Sequence, residues 1–250
     1  MPSWHAPKVL GFKPVFNHAH HNKIRLVLNS LKPEIFKETG ASFGGGTLIA
    51  LLNNEYRWSK DIDFICPVGK GYRRLREIVS EASFKPGVLF HKTENLSFPR
   101  ELIANQYGVR FLVMADQTPI KFEIIAEARI AINAPVYRDW TAIPTLDFED
   151  QCAEKLLANA DRWADSSIES RDLIDLAVLR TQNTIPKAAI TKAESAYPVI
   201  PELQKALTKF MGNPQYQNKC FTALEISQKD SILLGISQLA ADFGVNSASS

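Results

Sequence analysis

The sequence predicts a mixed α/β region over residues 1–148 followed by an all-helical region over 149–250, and three observations carry that reading. A stretch rich in β-formers runs through "GVLFHKT", "NQYGVRFLVMAD" and "TPIKFEIIAEARIAI", divided by turn chemistry at Lys85-Pro86-Gly87 and Asp116-Gln117-Thr118-Pro119. Helical periodicity precedes it: Ile24, Val27, Leu28, Leu31 and Ile35 share one face of residues 22–38, and "YRRLREIVSEA" reads as a second helix. From Asp147 the strand signal stops, and helices broken at "TQNTIP", "AYPVIP" and "MGNPQ" fill the chain up to a frayed tail, "NSASS".

Pro33 breaks or restarts the first helical run, because proline lacks the N–H and clashes with the preceding turn. A chain of this length buries roughly 70–75% of its unfolded surface, enough for a core without disulfides. The hydrophobic fraction of 45%, the charged fraction of 22% and a net charge of +2 are those of an ordinary globular protein and do not announce a nucleic-acid binder. Cys66, Cys152 and Cys220 are odd in number and lack a C-x-x-C pairing, which predicts reduced thiols and no structural zinc. The amino terminus "MPSWHAPKVLGFKPVF" does not read as a signal peptide, and no stretch approaches the roughly 20 apolar residues of a membrane span. A cytoplasmic protein without a membrane partner is expected.

The chemistry concentrates in "GGGTLIALLNNEYRWSKDIDF", residues 44–64. Alternation along Asp61, Ile62, Asp63 and Phe64 points both carboxylates to one strand face, with Cα atoms about 6.6 Å apart. Like charges that close require positive charge between them. In "PIKFEIIA", Ile120, Phe122 and Ile124 make one face and Lys121 and Glu123 the other, so Glu123 is the candidate third acid. Three such carboxylates can hold two Mg²⁺ ions, with Mn²⁺ as the alternative, for an in-line phosphoryl displacement. Gly44, Gly45 and Gly46 open a helix near Thr47, whose N–H groups suit a phosphate.

These residues resemble the polymerase-β-like nucleotidyltransferase superfamily, a glycine turn followed by a D-x-D strand. More narrowly, Gly45, Gly46, Thr47, Arg57, Ser59, Asp61, Ile62 and Asp63 are similar to the motif of the AbiEii/AbiGii-type nucleotidyltransferase toxins. "AEKLLANADRW" followed by "RDLIDL" looks like that family's second signature, and the resemblance spans about residues 40–180. Two features depart from the wider superfamily: Glu123 stands where many members use Asp, and the glycine-to-acid spacing is long. The resemblance implies a polymerase-β-like domain with a mixed sheet and a helical domain, and transfer of a nucleoside monophosphate from an NTP to an acceptor. It further implies Asp61, Asp63 and Glu123 as metal ligands, Gly46 and Thr47 at the terminal phosphates, an RNA (tRNA) or protein acceptor, and a winged-helix antitoxin as partner.

In "EDQCAEKLLANADRW", Ala153, Leu156, Leu157 and Ala160 form an apolar stripe, while Lys155, Asn159 and Arg162 follow another face. Lys155 and Arg162 are expected to reach toward a triphosphate; the bland alternative is a solvated helix face. In "ESRDLIDLAVL", Arg171 and Asp175 are spaced for an i,i+4 pair, and Ser167 or Ser170 is expected to cap the helix. Asp172 is expected to orient Lys155 or bind nucleotide, with Asp175 and Arg171 bracing the cleft. Arg57 is read as neutralising the acids or contacting phosphate, and Ser59 as holding either the turn or a phosphate oxygen.

The histidines of "HAHH", His18, His20 and His21, read as an exposed loop or helix start rather than a metal site. The basic run "KGYRRLRE" reads as a solvated helix face, with an RNA backbone as the alternative occupant. Trp58, Trp140 and Trp163 are assigned to packing rather than base stacking. A small-molecule nucleotidyltransferase and a non-catalytic nucleotide-binding protein are the competing functions.

Overall fold

Eight strands form one mixed sheet, with helices on both of its faces; a computed structural model describes residues 15–245. The readings of the amino terminus and of the "NSASS" tail fall largely outside these residues. The strands are β1 (Ser42–Gly44), β2 (Ile62–Pro67), β3 (Leu96–Ser97), β4 (Ile103–Asn105), β5 (Gly108–Ala115), β6 (Thr118–Glu127), β7 (Val136–Arg138) and β8 (Thr141–Thr145). Their order is β3-β5-β6-β2-β1-β8-β7, with β4 paired to β5 alongside. The helices of the first region are α1 (Ala19–Ser30), α2 (Pro33–Thr39), α3 (Gly45–Leu52) and α4 (Lys70–Glu81). Those of the second are α5 (Phe148–Arg162), α6 (Arg171–Gln182), α7 (Lys187–Glu194), α8 (Ile200–Met211), α9 (Pro214–Ala223) and α10 (Lys229–Asp242).

Local chemistry accounts for the boundaries. Pro33 occupies the first turn of α2, where its missing N–H costs nothing, and Gly40 ends that helix at φ 69°. The Asp147 carboxylate accepts the Asp150 N–H and starts α5, and Asn213 does the same for Tyr216 at α9. Asp116 and Gln117, both with positive φ, make the two-residue turn between β5 and β6.

Two apolar cores result. Phe36, Phe43, Phe64 and Phe122 centre the first, packed between the sheet and α1, α2 and α4. The second is built mainly from α5 to α10, yet Ile49, Ala50, Tyr56 and Ile130 of the first region belong to it. Helix α3 thus joins both cores: Leu48 and Leu51 go to one, Ile49 and Ala50 to the other.

Several local expectations need correction. "GVLFHKT" is not a strand: Pro86–Leu89 is a 3-10 turn, and Phe90 makes a single bridge to Leu31. Lys85-Pro86 imposes that turn, and Leu89 and Phe90 are buried without the ladder a strand needs. Strand β6 stops at Glu127, whose carboxylate is held by the Arg129 backbone N–H and guanidinium, turning the chain off the sheet. The histidines do start a helix, with His18 at the N-cap of α1, but His21 is fully buried: its ring bonds the Glu55 carboxylate at 2.6 Å and the Ser59 carbonyl at 3.0 Å. Trp58 packs against His18, His20 and His21, and Trp140 against Phe16, as expected for packing aromatics. Trp163 donates its indole N–H to Glu202.

Candidate active site

The register of the central strands assembles the acids. Strands β2 and β6 are parallel with Asp63 beside Glu123, and β1 runs antiparallel to β2 with Gly44 beside Asp63. Asp61 lies one residue before β2, and Ile62, Phe64, Ile120, Phe122 and Ile124 turn the opposite way into the core. The alternation read from the sequence therefore holds on both strands. Burial, and then the neighbouring Asp61 and Glu123, push the Asp63 carboxyl up to about 6. Lys121 pairs with Glu123 at 2.6 Å and supplies part of the missing positive charge.

The glycine turn presses on this site, and packing dictates both residues. Gly45 has φ +67°, and a Cβ there would lie 2.8 Å from Asp63 Oδ2. A Cβ on Gly46 would lie 2.0 Å from the Arg57 guanidinium and 3.0 Å from Asp175 Oδ2. The space a side chain at Gly46 would fill thus holds an ion pair of the protein, while the residue itself lines the cleft. Thr47 is buried and donates its hydroxyl to the Asp61 carbonyl at 2.7 Å, so the 2.7 Å contact with Ser59 Oγ is donated by Ser59. These two hydroxyls fix the loop that carries Asp61.

Behind the turn lies a buried ionic cluster. Asp175, with no exposed surface, accepts from Tyr56 Oη, from Arg57 Nε at 2.7 Å and Nη2 at 3.0 Å, and pairs with Lys155 Nζ at 2.7 Å. Asp172 takes Lys155 at 2.7 Å and a two-pronged contact from Arg162 at 2.7 and 3.0 Å. Three cations therefore meet two carboxylates, and one positive charge is left facing Asp61 and Asp63. Although burial alone would raise them, Lys155 and Arg162 hold the Asp172 carboxyl well below its usual range, and Arg57 and Lys155 hold Asp175 low.

A cleft of about 220 Å³ runs between the acids and this cluster, with Gly45, Gly46 and Thr47 at its base. Asp61, Asp63, Glu123, Arg57, Ser59, Lys155 and Arg162 all line it, so most predicted residues come together. Asp172 and Asp175 do not; they sit behind it and hold the basic residues that do. The expected Arg171–Asp175 pair is absent, because Arg57 and Lys155 already occupy Asp175 while Arg171 turns into the cleft. Nor does a serine hydroxyl cap α6: Ser170 has φ 50° and its Oγ meets Tyr216, while Asp165 holds the Ser167 N–H in a preceding turn. Arg171, expected to brace the cleft, lines it, and Lys121 and Glu154 line it without an expected role there. For Lys121 the signal was present in its sharing a strand face with Glu123; for Glu154 it was the step next to Lys155.

Among the described residues no three acidic, histidine or cysteine side chains already converge as a metal cluster. The donor set nevertheless suits a hard divalent cation: Asp61, Asp63 and Glu123 offer only carboxylate oxygen, and the half-buried Asp63 stands beside two like charges.

Residues 27–199 match the model of the nucleotidyl transferase AbiEii toxin family of type IV toxin–antitoxin systems. The chain belongs to that family and is a nucleotidyltransferase, the toxin of a pair that implies an antitoxin partner. Solved structures with a similar arrangement are a candidate nucleotidyltransferase from H. pylori and JHP933 from Helicobacter pylori. The first is 15% identical with a TM-score of 0.49, covering 90% of this chain and 94% of its own. The second is 14% identical with a TM-score of 0.48, covering 90% and 91%. No curated protein matches the chain significantly. No helix among the described residues is long and apolar enough to cross a membrane.

Proposed function

We propose that the protein transfers a nucleoside monophosphate from an NTP to a hydroxyl of RNA in a metal-dependent reaction that releases pyrophosphate. The observation that supports this reading is the opposition, across one cleft, of three carboxylates on the sheet to a net-positive buried cluster, above a helix N-terminus. A triphosphate with its counter-cations satisfies both walls at once.

Asp61, Asp63 and Glu123 would hold Mg²⁺ or Mn²⁺, which when bound neutralises these acids and polarises the phosphoryl oxygens. Lys155, fixed between Asp172 and Asp175, presents its ammonium as a point charge to the phosphates. Arg162 and Arg171 contribute forked donors from the helical side. Backbone N–H groups at the start of α3 complete the anion site from below. Glu123 is the base candidate for the acceptor hydroxyl. Asp172, Asp175, Thr47 and Ser59 act at one remove, by positioning.

The test is incubation of the protein with Mg²⁺, each labelled NTP in turn and total RNA, beside Asp63→Asn and an EDTA control. Label on a defined RNA only with the intact protein and metal supports the reading. Undiminished transfer in EDTA, or label moving only to a protein or small-molecule hydroxyl, overturns it.

A further inference from the structure

The sheet continues beyond the catalytic acids, and its outer surface carries chemistry that the cleft does not use. In the β5–β6 register Arg110 lies directly opposite Glu123, close enough on one face for their side chains to be neighbours. Arg110 is exposed, and a shallow groove of about 40 Å³ joins Glu123, Arg110 and Tyr107. Tyr107, at the tip of the β4–β5 hairpin, is 72% exposed. The tip is anchored to α4 because the Tyr72 hydroxyl donates to the Asn105 carbonyl. On the far side of that contact lies a concavity of about 550 Å³, lined by Arg73, Arg76, Phe84 and Ala104.

This path runs from the third acid to the basic run "KGYRRLRE" by turning round the β4–β5 hairpin: Glu123 is shared by the cleft and the groove, Asn105 lines the groove, and the adjacent Ala104 lines the concavity on the α4 face of the sheet. Charge along it is unspent. Arg74 is tied to Glu38 at 2.7 Å and Glu77 at 3.6 Å, but no carboxylate of a described residue pairs with Arg73, Arg76 or Arg110. Phe84 and Val68, 39% and 52% exposed, give the concavity apolar walls.

We infer that this path binds the single-stranded end of the RNA acceptor, an inference that rests on the RNA-transferase reading for the role of Glu123. The terminal hydroxyl lies at Glu123, a base stacks on Tyr107, and upstream phosphates meet Arg110, Arg76 and Arg73. Spaced cations with an exposed aromatic ring between them suit a single strand, whose bases offer a free face. An acidic peptide would meet the arginines but leave the ring unused.

The test measures anisotropy of a fluorescein-labelled 12-nucleotide single-stranded RNA without NTP or Mg²⁺, so it does not depend on catalysis. Arg73→Gln/Arg76→Gln should weaken binding at least tenfold and lower the salt slope by about 1.4, near 0.7 for each lost phosphate contact. Tyr107→Ala should weaken binding about tenfold, and Tyr107→Phe should restore it. NTP affinity should stay unchanged in all three, and in transfer KM for RNA should rise in the double variant and in Tyr107→Ala with kcat preserved. Unchanged RNA affinity in the variants, or no RNA binding by the native protein, overturns the inference while leaving nucleotidyl transfer to another acceptor intact. Weakened binding in the variants with no transfer to RNA by the native protein would keep the surface and overturn the RNA-transferase reading.

Discussion

Gly46 and Arg57 meet so closely that the helix start and the buried ion pair are one construction. Removing Asp175 tests that construction: Asp175→Ala leaves Arg57 and the Tyr56 hydroxyl buried without their carboxylate, and Lys155 with Asp172 alone. Losing one partner of a buried charge pair costs about 3–5 kcal/mol, to be read by urea denaturation, and activity should fall with it. The acids on the opposite wall behave in the reverse sense. Asp63→Asn keeps the shape but removes one of three repelling charges, so transfer should fall at least about a hundredfold while the melting temperature stays level or rises. A stability loss in Asp63→Asn equal to that of Asp175→Ala would refute this division into functional acids and structural acids.

At the scale of the elements, what matters is how α6, which carries both buried aspartates, is kept in place. Helix α10 crosses it at Gly235, where a Cβ would lie 2.2 Å from the Ala177 carbonyl oxygen. Gly235→Ala should push the helices apart and cost about 1–3 kcal/mol, and it should lower activity through Asp172 and Asp175 although it lies outside the cleft. Thermal melts and transfer assays on the same sample check both effects. The D-x-D strand, the Glu123 strand and the Lys155 helix were legible because alternation and helical spacing are local signals. Strands β1, β7 and β8 were not, since segments of three to five residues show little periodicity and are defined by their partners. Asp175 was misread for the same reason: i,i+4 spacing pointed to Arg171, whereas burial brought in Arg57 from 118 residues away. His21 was read as exposed because nothing local announces that Glu55 and the Ser59 carbonyl will enclose it.

For the whole molecule, the charges set a stability profile with two slopes. Asp172 and Asp175 are held below their ordinary value of 3.8, so their stabilisation is present above that pH and lost as pH falls below it. Glu154 has the opposite sign: burial, and then the neighbouring Glu127, push its carboxyl from 4.5 up to about 8. Its contribution is therefore complete below pH 4.5 and lost as pH rises toward about 8. Denaturant midpoints should fall steeply below about pH 4 and more gently from pH 5 to 8. Glu154→Gln should reduce the second slope to the part that Asp63, raised to about 6, contributes, and exceed the native protein in stability at pH 8; parallel curves for the two proteins would contradict this.

Helix α3 has a mechanical consequence. Its two sides are clamped in different apolar cores, while its first residues form the base of the cleft. It works as a rivet through the two halves of the chain, so that base cannot recede without tearing one core from its helix. Accommodation of substrates of different size falls instead to the rim, to the long side chains of Lys121 and Arg171, while the anvil beneath them stays still.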